Sequence, residues 1–209
     1  ARWQLSRVLV MSGQFEEAEN LLAEGCQFMP IDNTCWLNYA SFFENQNHHH
    51  KALDVLKQAV KKLPEDIHLQ EQLINRLLMY NFPAEARQHA QELLDCYPDG
   101  AYCWHILADT LHRSPDYSDL KQIESLYRKA LSLNSSLLPA AEGLVRLKVS
   151  QHRYQEAHDV LSNLPGECQD DAEALWLKAL VFRQEGKHEN AYSEVENILA
   201  KHPDYLRAW

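Results

Sequence analysis

Residues 35–64 read "CWLNYASFFENQNHHHKALDVLKQAVKKLP". Leu53, Leu56, Val60 and Leu63 recur at helical spacing, so the second half of the stretch reads as an amphipathic helix. The first half carries Trp36, Tyr39, Ala40 and Phe43 at the same kind of spacing. Between them lie polar residues and three consecutive histidines, His48, His49 and His50. These could be an added tag, metal ligands or ordinary turn residues.

The surrounding register discriminates among the three. Pro30, Pro64 and Pro98 stand 34 residues apart, as do Ala18, Ala52 and Ala86, and further along Ala157 and Ala191. The segments before those alanines align: "GQFEEA", "NHHHKA", "NFPAEA", "QHRYQEA" and "GKHENA". The histidines fill positions present in every copy and add no length, which argues against a tag. Consecutive residues diverge from a helix or turn, whereas helical metal ligands need a spacing such as i, i+4. A solvated turn is the expected role.

A fixed period of this length is the mark of a repeat architecture. The pattern resembles the tetratricopeptide repeat, a helix–turn–helix unit. In the second copy Trp36, Tyr39, Ala40, Phe43, Ala52, Leu56, Ala59 and Pro64 stand at that family's signature positions. The resemblance implies an all-α, right-handed αα superhelix, or solenoid, of about six helix–turn–helix repeats. They are expected at about 1–32, 33–66, 67–100, 101–137, 138–171 and 172–205, with 206–209 opening a further repeat. The whole reads as one solenoid segment of a longer chain. The fourth copy carries three extra residues in its inner turn, and the fifth ends early at "LPGE". Asp170 with Glu173 is the expected capping box of the sixth first helix.

Composition supports helices. The chain has 209 residues, 45% apolar and 24% charged, with only six glycines and eight prolines. No apolar run is long enough to span a bilayer, so no membrane insertion by this segment is expected and a soluble segment is. The net charge of −10 disfavours phosphate backbones, hence nucleic acid. The five cysteines lack zinc-finger spacing; they are either reduced thiols or pair as Cys26–Cys35 and Cys96–Cys103.

No phosphate loop, zincin, nucleophile-elbow or kinase motif occurs, so no catalytic residue and no cofactor is assigned. Two histidine pairs, His152 with His188 and His105 with His112, would each supply only two ligands of the three or four a zinc site uses.

By the resemblance, the first helix of each repeat lines the concave face, where a protein or peptide partner would bind. Candidate contacts are Trp3, Arg7 and Asn45 in the first two copies, Asn75 and Met79 in the third, and His105, His112 and Arg113 in the fourth. Arg146 and then Trp176 and Arg183 follow in the last two. Glu71 stands where a chaperone-tail clamp would want a base, which argues against that specialisation. Arg113, Arg146 and Arg183 either receive an acidic segment or pair with Asp109 and Glu142. The expected function is a non-enzymatic interaction scaffold. The alternative is a regulatory or substrate-presenting part of a larger enzyme, such as a glycosyltransferase, or of a polysaccharide-export or assembly machine.

Overall fold

The computed structural model describes residues 2–205; the expected start of a further repeat at 206–209 lies outside the described residues. Every regular element among them is a helix. Two compact units divide the chain, one up to Leu93 and one from Leu94 onward. The first unit contains α1 (Arg2–Met11), α2 (Phe15–Phe28), α3 (Asn33–Glu44), α4 (His49–Lys62), α5 (Ile67–Met79) and most of α6 (Pro83–Cys96). The second contains α7 (Ala101–Arg113), α8 (Leu120–Leu133), α9 (Leu138–Ser150) and α10 (Tyr154–Ser162). It continues through a short α11 (Gly166–Gln169) to α12 (Ala172–Glu185) and α13 (His188–Lys201). In the first unit α1 pairs with α2 and α3 with α4, in the second α7 pairs with α8, α9 with α10 and α12 with α13, and α2 with α3, α4 with α5, and α8 with α9 join one hairpin to the next.

The inner turns share one backbone device. Gly13, Asn47, Asn81, His152 and Gly186 all have positive φ, between 58° and 84°. Their spacing is the repeat period, and the longer interval from 81 to 152 spans the copy with the insertion. Each is the left-handed residue that ends a first helix in a Schellman motif. The following residue's N–H reaches five residues back, as in Gln14 to Leu9, His48 to Phe43, Phe82 to Leu77, Arg153 to Lys148 and Lys187 to Phe182, at 2.7–2.9 Å. That same residue then accepts from the repeat alanine four positions on. One residue thus closes the first helix and opens the second. Glycine and asparagine tolerate the left-handed conformation; His152 is the less usual occupant.

The outer turns carry a second device. The indole N–H of Trp36 donates to the Pro30 carbonyl at 3.0 Å, and that of Trp104 to Pro98 at 2.7 Å. Gln70, at the equivalent position, donates to Pro64 at 3.3 Å. Aspartates 32, 66 and 171 then cap the N-termini of the first helices α3, α5 and α12, and Asp119 caps α8 at the inner turn of the fourth copy.

Two local expectations are corrected. The cap of α12 is Asp171, which accepts from the Glu173 N–H at 2.9 Å, while Asp170 instead accepts from Lys201 Nζ at 2.7 Å. His49 and His50 form the first turn of α4 rather than a free turn, because the Schellman closure makes His48 the N-cap. The fifth copy shortens as its sequence implied: α10 has nine residues, and Pro165 introduces the four-residue α11.

The alanine spacing marks close helix crossings. Ala18, Ala52, Ala86 and Ala157 are completely buried, and Ile74, Ala90 and Leu93 fill the core of the third copy. Ala191 is only half-buried, since α13 packs chiefly on α12 and buries a single side chain, Ile198. Ala52→Leu should overpack the α3–α4 crossing and lower the unfolding free energy by roughly 1–3 kcal/mol. Urea denaturation reads this, and an unchanged midpoint would contradict the placement.

Candidate functional site

In the first unit, α1, α3 and the start of α2 enclose a cleft of about 220 Å³. Its walls are Trp3, Val10, Met11, Phe15 and Phe42, and its polar rim is Ser6, Arg7, Asn45 and Gln46. Three candidate residues, Trp3, Arg7 and Asn45, therefore meet in one place. They do so because α1 and α3 are first helices of consecutive repeats and present equivalent faces. Sequence reasoning missed Ser6, Phe15, Phe42 and Gln46; Phe15 follows the inner turn, a position read only as connection. A mostly apolar recess with a few polar groups at its rim suits a side chain of a bound segment.

Asn75 is half-buried on α5, and Met79, at its end, is 65% exposed. Met79 lines a separate opening beside the inner turns of the second and third copies. There the carboxylate of Glu44 accepts from Arg76 Nε and from the Tyr80 hydroxyl, both at 3.0 Å. Burial and this carboxylate push the Tyr80 phenol up to about 12.

In the second unit His105 and His112 lie on the same side of α7, as their spacing implies, but both meet Tyr127 of α8. The His105 ring centroid is 6.1 Å from that of Tyr127, and His112 Nδ1 is 3.5 Å from the Tyr127 hydroxyl. Burial pushes the His112 imidazole down, against the opposing influence of Asp109. Arg113 pairs with Asp109 at 3.0 Å and Arg146 with Glu142 at 2.8 Å. Both guanidiniums are thus engaged along their own helices. Trp176 is half-buried and Arg183 exposed on α12.

His152 Nδ1 lies 2.9 Å from the Tyr154 hydroxyl, and His188 opens α13. Among the described residues no group of three or more His, Cys, Asp or Glu could hold a metal ion, and no helix is long and apolar enough to cross a membrane. The five cysteines are free thiols; burial pushes Cys26 up to about 12 and Cys103 upward as well.

A charged cluster unforeseen from the sequence joins α8, α9 and α10. Lys148 is completely buried, with Nζ 2.6 Å from Glu124 and 2.9 Å from Glu156. Arg128 and Arg153 also reach Glu124, each at 3.0 Å. Burial by itself would raise the Glu124 carboxyl, but the bonds from Lys148, Arg128 and Arg153 prevail and hold it at about 2. Its partners cross helices, so its place is in joining α8 to α10.

No protein-family model matches the chain. It is 25% identical over 162 residues to the mouse protein O-mannosyl-transferase TMTC1, covering 76% of this chain and 17% of that protein. It is also 25% identical over 137 residues to the rRNA biogenesis protein rrp5 of Schizosaccharomyces pombe, covering 64% of this chain and 8% of that protein. The chain therefore spans less than a fifth of these curated relatives. Among solved structures, a thermophilic TPR protein from Thermus thermophilus superposes with a TM-score of 0.65 at 16% identity, over 85% of this chain and 95% of that one. The type IV pilus biogenesis factor PilW gives 0.63 at 17%, over 97% and 93%. YrrB, a TPR protein with an unusual peptide-binding site, gives 0.52 at 14%, over 90% and 95%. Repeat period, Schellman-closed hairpins and structural neighbours agree: the chain has the tetratricopeptide-repeat fold, an all-helical solenoid of helix–turn–helix units.

Proposed function

We propose that this segment is a non-enzymatic scaffold that holds a segment of a partner protein against the first helices of its repeats. The observation that supports this reading most is the recess lined by Trp3, Val10, Met11, Phe15 and Phe42, with Arg7, Asn45 and Gln46 at its rim. An apolar anchor of the partner fills the recess, and the amides and guanidinium bond its backbone or a neighbouring carboxylate. Asn75, His105, His112, Trp176 and Arg183 extend the contact surface along their own helices. An acidic segment on the second unit would have to compete with Asp109 for Arg113 and with Glu142 for Arg146.

Peptides selected by display against the purified chain provide the test. Trp3→Ala and Asn45→Ala should each weaken the selected peptides about tenfold or more. Selected peptides bound equally well by both variants would overturn the assignment of this cleft.

The similarity to part of TMTC1 supports a second reading, in which the segment belongs to a glycosyltransferase and presents protein substrates to it. Joined to the rest of its own chain, the segment should then raise turnover of peptides that it binds over those it does not. Equal turnover of both peptide sets would remove this reading.

A further inference from the structure

The consecutive histidines His48, His49 and His50 share one opening with the next repeat. Beside the consecutive inner turns of the second and third copies lies an opening of about 610 Å³, formed by residues 47–51 and 79–82. His49 stacks on Tyr80, with centroids 4.3 Å apart and planes 28° apart, and His50 meets Phe82 edge-on at 6.0 Å. The imidazoles are therefore placed by the neighbouring repeat, although they are exposed. Met79 and Phe82, 65% and 37% exposed, add apolar surface to the same opening.

Its charge runs against that of the chain. The net formal charge of the chain is −10, yet the opening is lined by Asn47, three histidines, Lys51, Met79, Tyr80, Asn81 and Phe82, with no carboxylate. Of the nearby acids, Glu44 bonds Arg76 and the Tyr80 hydroxyl at the edge of the opening, Glu85 pairs with Lys57 at 2.5 Å, and Asp54 is exposed one turn further along α4. The Lys51 ammonium sits 5.0 Å above the Phe43 ring. An imidazole always carries at least one N–H donor, and an ammonium three. Donors to carboxylates thus stand beside an exposed thioether and aromatic edge.

We infer that this opening is a second docking site, on the turn edge of the repeats, for an acidic partner segment that carries an apolar side chain among its carboxylates. The carboxylates bond His48, His49, His50 and Lys51, and the apolar side chain rests on Met79 and Phe82. Nucleic acid is disfavoured as occupant because the surrounding field repels a phosphate backbone. The inference rests on the interaction-scaffold reading but uses none of the residues of the Trp3 cleft, so each site can fail alone.

The probe is a fluorescein-labelled peptide of glutamates flanking a single phenylalanine, compared with its lysine counterpart and with labelled single-stranded RNA. The acidic peptide should bind, and Lys51→Glu should weaken it about tenfold or more. The triple variant His48→Ser, His49→Ser, His50→Ser should weaken it similarly, with an unchanged circular dichroism spectrum. Trp3→Ala should leave it unaffected. Preference for the lysine peptide, RNA binding as tight as that of the acidic peptide, or indifference to both the Lys51 and the histidine variants would overturn the assignment. Loss on Trp3→Ala alone would move the acidic peptide to the first cleft, overturning this site while leaving the scaffold reading intact.

Discussion

Gly143→Ala is expected to cost about 3 kcal/mol of unfolding free energy, although alanine is the better helix former. The intrinsic preference would favour the variant by up to about 1 kcal/mol in the interior of α9. Packing opposes it. A Cβ at this position would stand 2.4 Å from both Cε1 and Cζ of Tyr127 and 2.7 Å from its hydroxyl. Tyr127 is completely buried, its hydroxyl faces His112, and its ring cannot turn outward without opening the α8–α9 contact. The clash should exceed the helix-propensity gain severalfold. Urea denaturation provides the measurement, and a Tyr127→Leu background provides the control. There the same glycine replacement should be neutral or stabilising, because the obstructing ring atoms are gone. An equal cost in both backgrounds would show that the ring is not the obstacle.

The same close approach shows what could and could not be read in advance. The alanines and prolines announce the hairpins because the prolines stop helices locally and the alanines recur at the repeat period wherever two helices cross. The left-handed residues were half legible: Gly13, Asn47, Asn81 and Gly186 are types that favour that conformation, whereas His152 is placed there by its repeat position. Gly143 was silent, since its reason is a tyrosine sixteen positions earlier on another helix. The cap of α12 was misplaced by one residue because Asp170 and Asp171 are adjacent and only the turn geometry separates them. The stacking of His49 and His50 was equally hidden, as its partners Tyr80 and Phe82 belong to the next repeat. Trp3, Arg7 and Asn45 could be grouped because equivalent positions of successive repeats become neighbours. Arg113 and Arg146 already held visible carboxylate partners four residues before each.

Lys148 did leave a signal: it lies four residues after Leu144 and three after Val145, on the apolar side of α9, where a charge is costly unless paired. Lys148→Met should destabilise the chain by about 3 kcal/mol at neutral pH. The value sits at the lower end for a broken buried pair because Arg128 and Arg153 still reach Glu124, whose side chain keeps 18% exposure. Acid adds a second signature. Glu124 is held at about 2, below its ordinary 4.5, so its pairing contributes stability at pH values above the ordinary one. That contribution disappears as pH falls from 4.5 toward 2 and the folded carboxylate takes up its proton. Without Lys148, Glu124 loses a strong donor, its folded value rises, and less remains to be lost on acidification. Urea midpoints followed from neutral pH into this acid range should therefore converge for the native chain and Lys148→Met. Parallel curves would mean that the lysine acts by packing alone, and Glu124→Gln, which removes the titrating group but keeps its shape, should reproduce the flattened acid limb if the charge is responsible.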